Sequence, residues 1–267
     1  INMKHTQVSE FIYQLFALIF SIIIVHAIYV TVIRPNANAL FQQQQEKMAA
    51  GEEAEMPKSA YIILKDPEQE ICIIMGLWVI AIIGLKIRLA LHERRLLDRS
   101  LLDIPEGTSI LPEDVRQFVR TLQSALPLEQ NFLLPRALLT ALQRFGSTRN
   151  VQDVANAVKE VCEEESSRQD SELSMVRYIL WAIPSIGFIG TVRGIGDALS
   201  QAQAAVQGDI TGVTASLGVA FNSTLIALLI SILIMFLTHQ LQLMQDRLVL
   251  DTRNYCDNNL IRHMQVR

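Results

Sequence analysis

Cysteine, aromatic side chains and net charge are all scarce in this sequence. Three cysteines occur in 267 residues, and Cys72, Cys162 and Cys256 have no CxxC spacing, so neither a zinc knuckle nor a disulfide framework is expected. Aromatics make up 6% of the chain and the formal net charge is −4. No basic run interleaved with aromatics is present, which argues against nucleic acid as a partner. A glycine-rich nucleotide loop, a metal-spaced cluster and a plausible pairing of nucleophile and base are also missing. The sequence therefore predicts no enzyme, no cofactor and no metal site.

Charge is missing locally as well. Residues 11–33 form a 23-residue apolar run without a formal charge, and residues 213–237 form a 25-residue run of the same kind. Each is long enough to cross a bilayer, for which about 20 residues suffice. Two shorter blocks, Ile71 to Leu85 and Tyr178 to Val192, are flanked by Lys86 and Arg88 and by Arg177 and Arg193. The long stems of these side chains reach the interface by snorkelling. Ala37-Asn38-Ala39 resembles a signal-peptide cleavage pattern. The first run exceeds the roughly 7–15 residues of a signal core, so a retained anchor is expected.

Lysine and arginine near the span ends set the orientation. Lys86, Arg88, Arg94, Arg95 and Arg99 follow the second run, the connection at 198–212 has neither residue type, and Arg247, Arg253, Arg262 and Arg267 follow the fourth. The fold class expected is all-α: a polytopic membrane protein with four transmembrane helices, long helices extending into the cytoplasm, and a helical cytoplasmic domain between spans two and three. The boundaries are an N-terminal tail and span at 1–33, a Gln- and Glu-rich periplasmic loop or helix at 34–70, span two at 71–91, and the cytoplasmic domain at 92–176. Span three follows at 177–197, a periplasmic connection at 198–212, span four at 213–237 and a cytoplasmic C-terminal helix at 238–267. Both termini lie inside.

Within the middle segment, Pro112-Glu113-Asp114 marks a helix start, after which Val115, Phe118, Val119, Leu122 and Leu126 recur at helical spacing. A second such pattern runs from Leu133 to Gly146. Asn150 is an N-cap for a helix that either rises unbroken into span three or breaks near Ser166-Ser167.

The third run contains Pro184, Gly187, Gly190, Gly194 and Gly196, and the fourth contains Asn222-Ser223-Thr224 about ten residues in. Glycines permit close helix approach. Pro184 removes a backbone donor, and three adjacent polar residues at that depth meet a neighbouring helix or a lumen. Packing alone accounts for the glycines, with Thr191 bonded to its own backbone, whereas the polar triplet favours a pore. Neither run carries a carboxylate between 178 and 196 or between 213 and 237. These spans therefore cannot by themselves be a protonatable carrier. His26 in span one is expected to bond a neighbour.

The stretch Pro184-x-x-Gly187-x-x-Gly190-Thr191-Val192-x-Gly194-Ile195, followed by Ala220-x-x-x-Thr224-x-x-x-Leu228, resembles the paired third and fourth spans of the MotA/TolQ/ExbB proton channel family. The resemblance covers mainly residues 176–240. It implies the pore-forming subunit of an ion-driven motor in the bacterial inner membrane, a homopentamer around two single-span ExbD/TolR/MotB-like partners with periplasmic domains. The partner would carry the ion-binding aspartate. By motif, Thr191 and Thr224 would be pore-facing hydroxyls, joined by Ser223 and Asn222. Pro184 would shape an inner gate, and Gly187, Gly190 and Gly194 would pack the helices. The transported ion would be H+, with Na+ the alternative because Ser223 lies beside Thr224. Arg193 departs from the apolar or aromatic residue of TolQ-like sequences and is expected to pair with Asp197 at the pore mouth. The driven process is left open: flagellar rotation, outer-membrane energisation, gliding or a Zorya-like anti-phage motor. Defence subunits of that last kind carry a long helical tail, whereas here about 30 residues follow span four, so the other outputs are favoured. A non-conducting scaffold that packs in lipid and recruits cytoplasmic partners is the competing reading.

Overall fold

The structure, a computed structural model, describes residues 2–49, 59–99, 101–102, 109–125, 129 and 131–265. Leu126, Arg267 and the Glu-rich part of the 34–70 segment, residues 50–58, lie outside the described residues. Among the described residues the elements are helical: α1 (Asn2–Ile28), a π-helical turn (Tyr29–Ile33), α2 (Arg34–Ala49), α3 (Ala60–Leu64), α4 (Pro67–Leu97), α5 (Val115–Ala125), α6 (Leu133–Thr148), α7 (Val151–Glu172), α8 (Ser174–Ser200), α9 (Ala202–Val206), α10 (Thr211–Asn259) and a short 3-10 turn (Ile261–His263). Among the described residues, four stretches are long and apolar enough to cross a membrane: Glu10–Gln44, Pro67–Leu97, Val151–Ser200 and Thr211–His263. The chain divides into two units, residues 1–83 with 175–238 and residues 84–174 with 239–267.

Unit one holds the four apolar runs, the second of them as far as Ile83. Its surface carries large apolar side chains, among them Phe16, Phe20, Trp181, Phe188, Phe221 and Phe236, all more than half exposed. In water such a surface would be an aggregation liability; in a bilayer it is matched to its solvent. The first helix does not end at residue 33. The π turn takes the Arg34 N–H to Tyr29 O, five residues back, and Asn36 Nδ2 donates to Val32 O at 2.7 Å. Backbone groups around Pro35 thus keep partners and the chain continues as α2. Tyr29, Val25 and Ile33 form a small core with Leu64, Ile73 and Ile74. Between α9 and α10, Gly208 at φ 99° reverses the chain, and Asp209 Oδ1 accepts from Thr211 N at 3.1 Å, starting α10.

The α4 start is written in Asp66-Pro67-Glu68-Gln69-Glu70. Asp66 precedes the helix, Pro67 takes the first position where a missing N–H costs nothing, and two acids follow in the first turn.

Unit two is built on α6 and α7. Leu134, Ala137, Leu138, Ala141, Leu142 and Phe145 of α6 are buried against Val154, Val158 and Cys162 of α7, with Cys256, Leu260 and Met264 from the end of the chain. Asn150 caps α7, its Oδ1 accepting from Gln152 N at 2.9 Å. The break between α7 and α8 falls at Leu173, whose N–H closes on Gln169 O, and not at Ser166-Ser167. Asp114 precedes α5, and Ile110 pairs with the C-terminal segment through Ile110 N to His263 O at 2.7 Å. Lys86 is buried and meets Glu172 at 2.6 Å instead of snorkelling freely. Glu165, also buried, accepts from Arg136 at 2.9 Å and Arg168 at 2.6 Å.

Candidate functional site

Glycines set the distance between α8 and α10. A methyl group on Gly187 would stand 2.5 Å from Ala227 Cβ, one on Gly190 would stand 2.5 Å from Ser223 Cβ, and one on Gly194 would stand 2.7 Å from both Ala220 N and Ser216 O. The spacing 187, 190, 194 follows one face of a helix, and α10 answers with Ser216, Ala220, Ser223 and Ala227, all small. The two backbones therefore approach closer than larger side chains allow.

That approach brings the two expected threonines together. Thr191 Oγ1 and Thr224 Oγ1 are directly hydrogen-bonded to each other. Thr191 Oγ1 also reaches Ala220 O at 3.0 Å and Gly187 O at 3.3 Å, and Thr224 Oγ1 reaches Gly187 O at 3.1 Å. Both side chains are half-buried in the single chain. Two hydroxyl protons are thus shared among three acceptors, leaving lone pairs without a fixed donor. Ser223 is buried and returns its own proton to Val219 O at 2.7 Å. Asn222 is turned elsewhere, into a cavity. Pro184 lies inside α8, and the Cys72 Sγ of α4 donates to Ile183 O beside it at 3.6 Å.

The cavity, of about 600 Å³, is lined by Asp66, Lys65, Arg193, Asp197, Ser216 and Asn222 among others. Arg193 and Asp197 share it without pairing. The Arg193 guanidinium instead meets Glu68 Oε2 at 2.8 Å and Asp66 Oδ1 at 4.0 Å. The expected neighbour one turn along is outcompeted by carboxylates delivered from α4 at better geometry. Burial holds the Asp66 carboxyl above its ordinary range, against the pull of Lys65 and Arg193.

Sequence reasoning missed the α4 start as part of this region. Glu68 bonds Arg193 of α8, Gln69 Nε2 lies 3.5 Å from Ser223 Oγ of α10, and Glu70 takes Arg34 at 2.6 Å and His26 of α1 at 2.7 Å. Three consecutive residues thus address three different neighbours. The signal was present: an Asp-Pro-Glu helix start directly abutting the apolar run at Ile71 places its charges within one turn of a span. His26 bonds a neighbour as expected.

Over residues 129–254 the chain matches the model of the MotA/TolQ/ExbB proton channel family. No curated protein and no solved structure matches it. The MotA/TolQ/ExbB match takes in α8 and most of α10, and hence the whole threonine pair, while α1 and the start of α4 lie outside it. With four helices among the described residues long and apolar enough to cross a membrane, the match, which covers just under half of the chain, supports a multi-pass membrane protein similar to that family. Hydroxyls do not titrate near neutral pH. Their oxygens donate to or accept from a carboxyl group, or take places in a cation's coordination shell.

Proposed function

We propose that this chain is the pore-forming subunit of an ion-driven membrane motor, one wall segment of a ring around a partner that supplies the titrating group. The observation that carries the reading is the Thr191–Thr224 pair: two hydroxyls held together by a glycine-lined helix contact, in spans without a carboxylate of their own. A proton carrier passing them has to come from another chain. The ring is a homopentamer around two single-span partners whose aspartate binds and releases the ion at these hydroxyls. Flow is then converted to relative motion of the two subunit sets. The ion is H+; Na+ is the alternative, because hydroxyl lone pairs without a fixed donor are also ligands for a sodium ion. The chain sits in the bacterial inner membrane with both termini and unit two cytoplasmic, as the arginine distribution supports, and it is not an enzyme.

The test is ion flux in vesicles carrying this chain with its partner. Replacing Thr191→Val and Thr224→Val together keeps shape and removes both hydroxyls. Flux is expected to fall about tenfold or more, the rate equivalent of one lost hydrogen bond of about 1–1.5 kcal/mol. Unchanged flux removes the pair from the pathway. Absence of any flux in the unaltered complex, with no single-span protein in the purified assembly, returns the chain to the scaffold reading.

A further inference from the structure

Gln69 is completely buried at the start of α4, yet its amide is poorly served. Its Nε2 has only the 3.5 Å approach to Ser223 Oγ, and its Oε1 has no protein partner. An unmet buried amide oxygen costs on the order of 1–3 kcal/mol, so an apolar side chain of similar size would be the cheaper occupant. Asp66 Oδ2, three residues earlier, is likewise buried without a partner. Asp66 lines the cavity, and so does Asn222, the residue next to Ser223. The cavity, about 600 Å³ and lined by these polar groups together with apolar ones such as Ile62, Ile63 and Val219, is ample for water, and buried polar groups lacking a protein partner are met by water.

We propose that Asp66, Asn222 and Gln69 form a hydrated access route leading from the cavity to Ser223 and so to the Thr191–Thr224 pair. The route lies within one chain, between the start of α4 and the first turns of α10. Its charge suits a cation: Asp66, Asp197 and Glu68 face Arg193 and Lys65, three carboxylates against two bases. The Arg193 charge is taken up by Glu68 at 2.8 Å, and Lys65 lies 4.2 Å over the Phe41 ring. Asp66 also lies 4.0 Å from Arg193, so the excess carboxylate, with Asp197 lining the cavity unpaired with Arg193, is what draws a hydrated cation inward. Gln69 then presents an acceptor to water on one side and its amide to Ser223 on the other. The purpose of the route rests on the ion-pathway reading above; its hydration does not, and the two are tested apart.

The experiment is thiol accessibility in the full chain assembled with its partner in membranes, probed with a small, charged, membrane-impermeant methanethiosulfonate. Cysteine replaces Asp66, Asn222 or Gln69 one at a time, and Val79→Cys, a fully buried position of the same helix, serves as the dry control. The native cysteines are all buried and set the background. Asp66→Cys and Asn222→Cys are expected to react readily. Gln69→Cys should react more slowly than these yet about 100-fold or more faster than Val79→Cys, the factor even a modest opening free energy imposes on a dry site. Protection of Gln69→Cys equal to that of Val79→Cys overturns the route. Protection of Asp66→Cys and Asn222→Cys overturns it at the cavity. Because a cysteine at 69 risks disturbing the fold, Gln69→Leu is measured alongside. It should assemble normally and lower partner-dependent flux about tenfold, and full flux in that variant overturns the route's part in ion access. A failure of the Thr191 and Thr224 flux test leaves the accessibility result untouched.

Discussion

At the level of single residues, the glycines of α8 are not equivalent. At Gly190 an added methyl meets a serine side chain, which has some room to rotate. At Gly194 it meets Ala220 N and Ser216 O at 2.7 Å, and backbone does not rotate away. Gly194→Ala is therefore expected to force α8 and α10 apart and to destabilise the protein by about 1–3 kcal/mol, the usual cost of overpacking. Gly196→Ala, where nothing lies within 4 Å, should not destabilise and is expected to gain about 0.4–1 kcal/mol. Thermal unfolding of the detergent-solubilised protein compares the two, and equal behaviour would show that the helix contact tolerates the added volume. Both glycines looked alike in the sequence, because helical spacing says which residues share a face and not which partner atoms stand opposite. Thr191 and Thr224 were legible for a different reason: hydroxyls in long apolar runs are conspicuous. Gln69 was not, lying among charged neighbours that suggested a solvated segment.

At the level of elements, most helix starts were readable and several stops were not. Asn150 and the Pro112-Glu113-Asp114 stretch are start signals that the helices obey, whereas the α4 start at Pro67, four residues before the expected span, was not read. The end of α6 was expected at Gly146, but the helix runs past it to Thr148 and closes at Arg149, whose φ is 51° and whose N–H bonds Phe145 O at 3.0 Å. Arginine pays a steric cost there that glycine does not. Arg149→Gly is thus expected to stabilise the protein by about 0.5–1 kcal/mol even though glycine is the more flexible residue when unfolded. A rise in the midpoint of denaturant unfolding checks this; a fall would mean that the Arg149 side chain supplies more than its backbone costs. The continuation of α1 through Pro35 was similarly hidden. Composition gave residues 34–70 as loop or helix, and a π turn that re-registers backbone hydrogen bonds leaves no mark in hydropathy. Length is the clearest element-scale fact: at about 1.5 Å per residue, the 49 residues of α10 extend roughly 70 Å, more than twice the ~30 Å hydrocarbon core of a bilayer.

At the scale of the whole molecule, the overall plan followed from where charge is absent, and the hidden part is how the remaining charges are used. Positive-inside counting treats Lys86 as a flanking residue. The structure buries it against Glu172 at 2.6 Å, and Glu172 has a second base, Arg168, at 3.6 Å. The two halves of this pair should therefore respond unequally to mutation. Glu172→Gln strands a buried ammonium and is expected to cost about 3–5 kcal/mol, whereas Lys86→Met leaves Glu172 with Arg168 and should cost clearly less. Unfolding midpoints of the two variants give the comparison, and a larger loss for Lys86→Met would contradict it. Which charges find partners depends on residues 86 positions apart in the chain, information that no local window of sequence contains.

The opening of α4 also constrains how this protein is able to vary. Glu68, Gln69 and Glu70 each grip a different helix, so their order around the axis is part of the design. Adding or deleting one residue between Pro67 and Gly76 would rotate them by about 100°. Each grip would then be aimed at the wrong neighbour, while Gly76 would lose its place against Ile230 and Ile234. Substitutions here are survivable one at a time; a change of length is not. The segment acts as a ruler, and insertions are expected to collect before Asp66.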